Sequence, residues 1–321
     1  MQPGAQVSVA IVSWNTRDLL RRCLESFASE AESGRCEVWV VDNASSDGSA
    51  EMVRDAFPWA HLEASDENLG FGPAVNLAAK RTRAPWIGIA NADIALQPGA
   101  LDALLEAAER DPEAGAIAPR LVLPDGSTQH SVFTFPTLGS ALVVAGGIGR
   151  VVKPLGERAL LLGMFDAERP RRVPWAIAAF LLVRREAWDA IGGFDEHQWM
   201  YAEDLDIGWR LHKAGWATRY EPRARVEHES SASTEQAWGD AGKTERWQRS
   251  TYAWMLRRMG APRTRAVAAI QIAGQLARLA WLAPAAALAP ARFAHRRDAA
   301  RWWMKLHRAG LASRADLEAH R

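Results

Sequence analysis

Apolar runs alternate with segments of helical periodicity through the first third of the chain. Residues 7–13 and 37–41 are rich in β-branched side chains, which is typical of buried strands, and 16–30 between them has helical spacing. A weaker strand pattern occupies 61–65, and a further strand is predicted over 86–90. Helical patterns occupy 49–57, 73–83 and 98–110. This β-α alternation predicts an α/β fold with a mostly parallel sheet and helices on both faces.

The second half of the chain has a less regular pattern. Residues 136–174 are Gly-rich without a period, and we interpret them as a loop over the binding site. A helix over 205–214 and a strand over 217–220 follow, and Trp, Ala and Arg at helical spacing dominate after about residue 235. We therefore predict an α/β domain over 1–235 and a helical C-terminal region over 236–321.

Composition favours a packed protein, because 48% of the 321 residues are hydrophobic and only 24% are charged. Cys23 and Cys36 have no metal-ligand spacing and cannot form a disulfide framework. Residues 1–6 carry no basic cluster of the kind that begins a signal peptide. Together these features predict a reducing, cytoplasmic setting.

The formal net charge of +1 conceals a strongly basic segment. Between Arg257 and Arg308 there are eleven Lys or Arg residues and one acid, Asp298. This segment is therefore about +10, and the remainder of the chain is about −9. The basic segment predicts an anionic partner such as a lipid surface or a nucleic acid. No nucleic-acid-binding motif accompanies it, and we expect no nucleic-acid partner.

Polar residues follow the predicted strands, at the edge where open α/β sheets bind ligands. Asp42 ends the second strand, where its carboxylate could accept a hydrogen bond from a nucleobase; the alternative is a turn-forming role. Asn91 and Asp93 follow a later strand, and a carboxylate there suits a divalent cation. Each signal is weak when taken alone.

Acidic residues open the helix predicted at 205–214, in the sequence Glu203-Asp204-Leu205-Asp206. Acids are common at helix N-termini, but a carboxylate in this place could also act as a general base. His228 is either a packed histidine or a metal ligand. Gly70-Phe71-Gly72 lacks the third glycine of a dinucleotide fingerprint, so we reject a nicotinamide cofactor.

These motifs, in this order, resemble the inverting glycosyltransferase family two, and above all its rhamnosyltransferase-like branch. The resemblance covers roughly residues 7–230 and implies that the domain over 1–235 is a catalytic domain with the GT-A fold. Its Rossmann-like nucleotide-binding half would be 1–120 and its acceptor-binding half 121–235. The resemblance rests on the following segments: 9–15 (VAIVSWN), 41–49 (VDNASSDGS), 68–72 (NLGFG), 91–93 (NAD), 192–196 (GGFDE), 200–206 (MYAEDLD) and the late His228.

The resemblance also implies roles for individual residues. Asp204 would be the catalytic base, supported by Glu203. Asp93 and His228 would bind Mg²⁺ or Mn²⁺. The nucleotide sugar would be bound by Ser13, Asn15, Asp42, Asn68, Gly70, Asn91 and Trp175. The sequence departs from the family pattern at Asn91, where Asp is usual, and at Ala178, where glycine is common and a methyl group narrows the acceptor pocket.

The implied chemistry is an inverting transfer, in which an acceptor hydroxyl displaces a nucleoside diphosphate. One carboxylate takes the hydroxyl proton and a divalent cation stabilises the leaving group, so a second catalytic carboxylate is not needed. The leading donor is dTDP-L-rhamnose, and the acceptor is a polyprenyl-diphosphate-linked glycan or a polysaccharide of the cell surface. The alternatives are a transferase using a UDP-sugar and a different acceptor, and a non-catalytic sugar-nucleotide-binding or membrane scaffold protein.

Two C-terminal segments bear on membrane attachment. Residues 263–283 are apolar but include Gln271, Gln275 and Arg278, and we predict a helix that ends at Pro284 without spanning a bilayer. Residues 292–308 have the pattern of a basic amphipathic helix, which predicts peripheral binding to the inner face of the cell membrane. The alternative is a helix packed on the catalytic domain.

Overall fold

The computed structural model describes residues 4–147, 161, 166–198, 200–229, 232–313 and 317, with the backbone alone for 232–240. Its strands are β1 (Val7–Ser13), β2 (Cys36–Asn43), β3 (His61–Ser65), β4 (Trp86–Asn91), β5 (Ile94–Leu96), β6 (Ala114–Val122), β7 (Val132–Phe133), β8 (Arg171–Val173), β9 (Trp175–Ala176), β10 (Phe180–Arg184) and β11 (Ala217–His228). Its helices are α1 (Arg17–Glu32), α2 (Ser49–Ala56), α3 (Phe71–Arg81), α4 (Ala100–Arg110), α5 (Leu138–Ala145), α6 (Arg185–Ile191), α7 (Glu203–Lys213), α8 (Ala232–Met259), α9 (Ala261–Leu288) and α10 (Pro290–His307), followed by a 3₁₀ turn at Arg308–Leu311.

Nine of the eleven described strands form one large sheet in the order β3-β2-β1-β4-β10-β6-β11-β5, with β8 beside β11. The other two, β7 and β9, pair with each other in a separate two-stranded sheet. Strands β3, β2, β1 and β4 are parallel, as the β-α alternation predicts. Strand β10 is antiparallel to both β4 and β6, and β5 is antiparallel to β11. The predicted α/β class is confirmed, and the antiparallel strands make its second half a mixed sheet.

The core lies between this sheet and the helices on it. On β1, the alternate residues Val7, Val9 and Ile11 pack with Leu24 and Phe27 of α1 in the main apolar cluster. Helix α3 contacts β1 and β2 but contributes nothing to that cluster, so it covers the opposite face. The alternation of side chains along β1 therefore places helices on both faces, as predicted.

The chain divides into two compact units. The first contains Met1–Thr134 and Asp166–Gly239, and therefore the large sheet. The second contains Phe135–Phe165 and Asp240–Arg321. Segment 135–165, which we expected within the acceptor-binding half, thus groups with the C-terminal helices.

The second unit is helical within the residues that the structure describes. Helix α5 crosses α9 closely at Gly274, where a Cβ would lie 2.6 Å from the Cβ of Ala145. Tyr252 of α8 is buried and its hydroxyl is 2.9 Å from Nδ1 of His307 on α10. Helix α9 also packs along α10, so that α5, α8, α9 and α10 are joined in one body.

Three local predictions were wrong. The segment 136–174 is not a continuous loop, because it contains α5 and β8; residues 148–160 and 162–165 lie outside the described part. The strand predicted at 217–220 continues to His228 past a register shift between Glu221 and Arg225. Helix α9 does not end at Pro284 but continues to Leu288, since a proline removes one backbone hydrogen bond without necessarily stopping a helix.

Candidate active site

The ends of three parallel strands bring the predicted donor-binding residues together. Ser13 on β1 is in register with Asp42 on β2, and Val12 is in register with Asn91 on β4. Ser13, Asp42 and Asn91 therefore lie side by side at the carboxyl edge of the sheet. This is the edge at which open α/β sheets bind their ligands.

One carboxylate oxygen of Asp42 binds the adjacent loop, and the other has no hydrogen-bond partner. Its side chain is buried, and Oδ2 accepts a hydrogen bond from the Ser45 amide at 3.1 Å. Oδ1 is also buried but has no hydrogen-bond partner. A buried acceptor without a partner is unfavourable, so Oδ1 is a ready acceptor for a ligand N–H.

Asn15 fixes the loop after β1 against the loop after β2. It adopts a left-handed conformation with φ of 52°. The backbone N–H of Asn15 donates to Ser45 Oγ at 2.9 Å, and its side-chain Oδ1 accepts from the backbone N–H of Ser46 at 2.8 Å. These bonds give Asn15 a positioning role, and its predicted contact with the donor stays a prediction.

Asn68 and Gly70 shape the entry into α3. Asn68 Oδ1 accepts from the Gly70 amide at 2.9 Å, and the Gly70 carbonyl accepts from Asn43 Nδ2 at 3.2 Å. Gly70 has φ of 85°, a conformation that favours glycine. The hydrogen bond from Asn43 holds this turn beside the end of β2.

Asp93 and His228 come together because β5 pairs with β11. His228 is in register with Ile94, and its Nε2 lies 3.3 Å from Asp93 Oδ1. Both side chains are almost fully covered, with 7% and 10% of their areas exposed. His228 Nδ1 is 2.7 Å from Gln129 Oε1, to which it donates, so in the neutral ring Nε2 presents a lone pair toward the carboxylate.

This pair fits a cation. Nε2 of His228 is buried and makes no hydrogen bond, although Asp93 Oδ1 is near, and a positive ion between two such acceptors would satisfy both. Gln129 would orient the histidine from behind, as outer hydrogen bonds do in metal sites. Among the described residues no group of three or more His, Cys, Asp or Glu could hold a metal ion, so the pair is an incomplete ligand set to which substrate or water oxygens could be added.

Cys23 lies behind this part of the site but is not a ligand candidate. Its Sγ is 3.8 Å from the Asn91 carbonyl oxygen. Burial, and then the charge of Asp93, raise the pKa of the Cys23 thiol far above its usual value. The group therefore remains a neutral thiol, whereas metal binding needs the thiolate.

Glu203 and Asp204 begin α7 after two residues in the left-handed conformation, Tyr201 and Ala202. Asp204 Oδ1 accepts from the Leu205 amide at 2.8 Å, and the carboxylate also accepts from the backbone of Ala178. The next residue, Ala179, accepts from the Asn91 amide through its carbonyl at 2.9 Å. Backbone contacts thus connect the Asp204 carboxylate to the end of β4.

The two carboxyl groups differ in acidity. Burial raises the pKa of Asp204 to about 6, while hydrogen bonds from the backbone oppose the rise. Burial, and then the charge of Asp204, raise the pKa of Glu203 to about 8. Glu203 Oε2 is buried without a partner, consistent with an uncharged carboxyl. Glu203 therefore holds a proton more readily than Asp204 does.

The Trp175 side chain is packed against its neighbours and is largely inaccessible to solvent. It stacks on Phe133 with ring centroids 4.7 Å apart, and its indole N–H donates to the Thr134 carbonyl at 3.1 Å. Only 5% of the residue is exposed. A Cβ at Gly208 of α7 would lie 2.4 Å from Trp175 Cβ, so the tryptophan fixes the position of α7.

Sequence reasoning missed two supporting residues. Gln129 orients His228 but no motif includes it. Asn76 of α3 is buried, accepts from the Phe194 amide at 2.8 Å and donates to the Phe194 carbonyl at 3.0 Å. The motif at 192–196 therefore anchors the chain before α7 to α3, and its spacing gave no sign of this role.

Comparison with known proteins places these features in context. The family models Glycosyl transferase family 2 and Glycosyl transferase family group 2 match residues 8–141 and 86–313. The chain is 37% identical over 241 residues to the N-acetylglucosaminyl-diphospho-decaprenol L-rhamnosyltransferase of Mycobacterium tuberculosis, a match covering 70% of this chain and 76% of the relative. It is 31% identical over 229 residues to the pre-mycofactocin glycosyltransferase of the same organism, covering 70% of this chain and 42% of that protein.

Two solved structures share the fold. The mannosyltransferase PcManGT from Pyrobaculum calidifontis, in complex with GDP-Man and Mn²⁺, has a TM-score of 0.57 and 17% identity over 99% of this chain and 87% of its own. GalNAc-T7 with UDP, GalNAc and Mn²⁺ has a TM-score of 0.52 and 14% identity over 71% of this chain and 44% of its own. The predicted GT-A glycosyltransferase fold is thereby confirmed.

Proposed function

We propose, since this chain belongs to the family 2 glycosyltransferases, that it transfers L-rhamnose from dTDP-L-rhamnose to an N-acetylglucosaminyl-diphospho-polyprenol. The observation that carries the proposal is the 37% identity, over most of both chains, to the N-acetylglucosaminyl-diphospho-decaprenol L-rhamnosyltransferase, whose name gives the sugar and the acceptor. The arrangement of Asp42, Asp93, His228 and Asp204 supports it, because each has the surroundings that its predicted role requires.

Asp42 would recognise the base of the donor. Its buried Oδ1 lacks a partner, and the imino N–H of thymine would supply one. Uracil offers the same N–H, so this contact alone does not select dTDP over UDP. Ser13 and Asn91 flank Asp42 on the neighbouring strands and would border the same nucleotide.

Asp93 and His228 would hold a divalent cation, Mg²⁺ or Mn²⁺, beside the diphosphate. Such a cation supplies charge stabilisation to the departing nucleoside diphosphate. The buried histidine nitrogen that faces Asp93 without a hydrogen bond supports this assignment, and Gln129 would keep that nitrogen directed at the site. The two structural relatives whose fold is shared were solved with Mn²⁺.

Asp204 would act as the general base. It would take the proton from the acceptor hydroxyl while that oxygen bonds to the anomeric carbon and the bond from this carbon to the diphosphate breaks. Attack opposite the leaving group inverts the anomeric configuration. Once ionised, Asp204 can accept a proton, whereas protonated Glu203 can only donate a hydrogen bond.

The protein would work at the surface of a membrane, because a polyprenyl-linked acceptor is held there by its lipid. The basic segment from Arg257 to Arg308 supports this location, since anionic lipids attract Lys and Arg. We propose peripheral attachment at the inner face of the cell membrane. By length and composition, one described helix, α9, could cross a membrane.

A donor and acceptor panel tests the proposed transfer. The purified chain is incubated with dTDP-L-rhamnose, UDP-N-acetylglucosamine or GDP-mannose, with Mg²⁺ or Mn²⁺, and with a short-chain N-acetylglucosaminyl-diphospho-polyprenol. We expect release of dTDP and a rhamnosylated product whose anomeric configuration is opposite to that of the donor. Turnover of the GDP- or UDP-sugar alone would overturn the assigned donor, and retention of configuration would overturn the mechanism.

A further inference from the structure

The solvent-exposed side of helix α9 is unusually apolar for a surface helix. From residue 266 to 288, every exposed position is Ala, Leu, Trp or Pro, whereas the buried positions include Gln271 and Gln275. Helix α4 in the same chain is ordinary, with Asp102 and Glu106 exposed and leucines buried. Because water does not favour an apolar outer face, the exposed side of α9 is suited to a different medium.

At about 100° per residue, the exposed and buried positions of α9 fall on opposite sides of the helix. The exposed side includes Leu276, Trp281 and Leu288, whose exposed fractions are 51%, 79% and 90%. We call this side of α9, over residues 269–288, the apolar stripe. It is roughly 30 Å long, from a rise of 1.5 Å per residue.

Helix α5 widens the apolar stripe. It contains no charged residue, and its Ala145 packs against Gly274, at the edge of the stripe. Leu138 and Leu142 on α5 are 43% and 56% exposed. Among the described residues, all the exposed large hydrophobic side chains belong to this second unit, so they are concentrated rather than scattered.

Exposed arginine residues precede and follow the apolar stripe along the chain. Arg263 and Arg265 are exposed before it, and Arg292 and Arg296 are exposed on α10 after it. An apolar surface with a tryptophan and flanking arginines matches the boundary between the acyl chains and the anionic headgroups of a bilayer. A second copy of this chain would bring the same positive charges together, which makes lipid the better partner.

We propose that the apolar stripe, with the exposed side of α5, is the surface that lies on an anionic phospholipid bilayer, with Trp281 and Leu288 inserted at the acyl boundary. This inference rests on the proposed membrane location. It assigns the contact with the acyl chains to the apolar stripe and not to the basic helix at 292–308. The opposite side of α9 packs within its own unit and carries Gln271 and Gln275, so lipid does not surround the helix.

Vesicle flotation of the full chain tests this surface. The vesicles contain phosphatidylcholine with or without phosphatidylglycerol, and the variants are Trp281→Glu and Leu288→Glu. Leu311→Glu is the matched control: Leu311 is exposed in the same unit, but the adjacent Gly310 packs against Ala268 on the buried side of α9. We expect each stripe variant to lower vesicle affinity by roughly tenfold or more, and the control to stay within about twofold.

A fluorescence measurement gives a second, independent readout. Cys23 and Cys36 are buried, so an environment-sensitive dye can be attached selectively through Leu288→Cys, or through Glu51→Cys on α2 as the control. Emission from position 288 should shift to the blue on addition of anionic vesicles, and emission from position 51 should not. Unchanged emission at 288, or stripe variants that bind vesicles like the original chain, would overturn the proposal.

Two further outcomes distinguish this proposal from a dimer interface on the same surface and from the proposed enzyme activity. Stripe variants that turn a dimer into a monomer while vesicle affinity is unchanged would assign the stripe to a second copy and refute lipid binding. Donor turnover with a soluble acceptor analogue is measured in parallel. If vesicle binding follows the expected pattern but no sugar is transferred, the proposed enzyme activity fails and the membrane surface stands.

Discussion

The Asp204 carboxylate should support turnover while lowering the stability of the folded chain, and Asp204→Asn tests both effects at once. Asn has nearly the same size and keeps one oxygen for the amides of Leu205 and Ala178 that bond to the carboxylate. It cannot ionise or accept the proton of an acceptor hydroxyl. The substitution therefore separates the charge of this side chain from its shape.

The magnitude of the stability effect follows from the raised pKa. In the folded chain the pKa of Asp204 is about 6, against 3.8 for an unperturbed group. The folded state thus holds the proton more tightly, and stability is lost as pH rises from about 4 through about 6. About two pKa units correspond to at most about 3 kcal/mol at 1.36 kcal/mol each. Because Asn retains only part of the hydrogen bonding, we expect a net gain of about 1–2 kcal/mol above pH 7.

The assay compares thermal unfolding at pH 4 and pH 8 with turnover and donor affinity, all on the same preparations. Asp204→Asn should unfold at a higher temperature than the original chain at pH 8, and at nearly the same temperature at pH 4. Its turnover should fall by about 10² to 10⁴, the usual loss for a general base. In the original chain, turnover should rise with pH through about 6 as Asp204 ionises.

Glu203→Gln is the matched control, because Gln imitates a protonated carboxyl, the form that the raised pKa of Glu203 favours. This variant should keep turnover within about tenfold at pH 7, well inside the loss expected for a general base. If Asp204→Asn retains turnover within about threefold, Asp204 is not the base. A lower unfolding temperature for Asp204→Asn at pH 8 would contradict the argument from burial, and a collapse of donor affinity would assign the residue to the nucleotide or metal site.

Three further outcomes are expected. Asp93→Ala should abolish the dependence of donor affinity on Mg²⁺ or Mn²⁺, and chelation should stop transfer by the original chain; full turnover in excess chelator would exclude a required cation. Asp42→Asn should weaken donor binding roughly tenfold in calorimetry, because the unpartnered Oδ1 acceptor is lost or must compete with an N–H group; unchanged affinity would exclude the base contact. Gly208→Ala should lower the free energy of unfolding by about 1–3 kcal/mol, since its Cβ would clash with Trp175; an unchanged denaturant midpoint would show that α7 can shift freely.

The clustering of three candidate donor-binding residues could be predicted from the sequence, because they lie at the ends of neighbouring parallel strands. Ser13, Asp42 and Asn91 each follow a recognisable strand, and parallel strands bring their carboxyl ends to one edge. Asp93 and His228 are different, since only the antiparallel pairing of β5 with β11 brings them together. No periodic pattern in the sequence indicates that the two strands pair. The association of Asp93 with His228 was therefore predicted through the family resemblance alone.

The helical region shows where sequence patterns are insufficient. Hydropathy shows that α9 is close to the limit for a membrane-spanning helix, but it does not indicate which side of the helix packs against the rest of the protein. The structure covers Gln271 and Gln275 and leaves Trp281 and Leu288 exposed. Similarly, the Gly-rich composition of 136–174 gave no indication that α5 would pack on a helix far along the chain, because a glycine contact such as that of Gly274 leaves no periodic signal.

The discontinuous second unit has a consequence for the order of events during synthesis. Ala145 and its contact Gly274 are about 130 residues apart, so α5 leaves the ribosome well before its partner helix exists. At about 5–20 residues per second, that interval is roughly 6–26 s. For this time the uncharged α5 has no native neighbour on α9, while the sheet that surrounds its insertion point is being completed by β10 and β11. The nascent chain should therefore be most prone to aggregation, and most dependent on chaperones, before residue 274 has emerged.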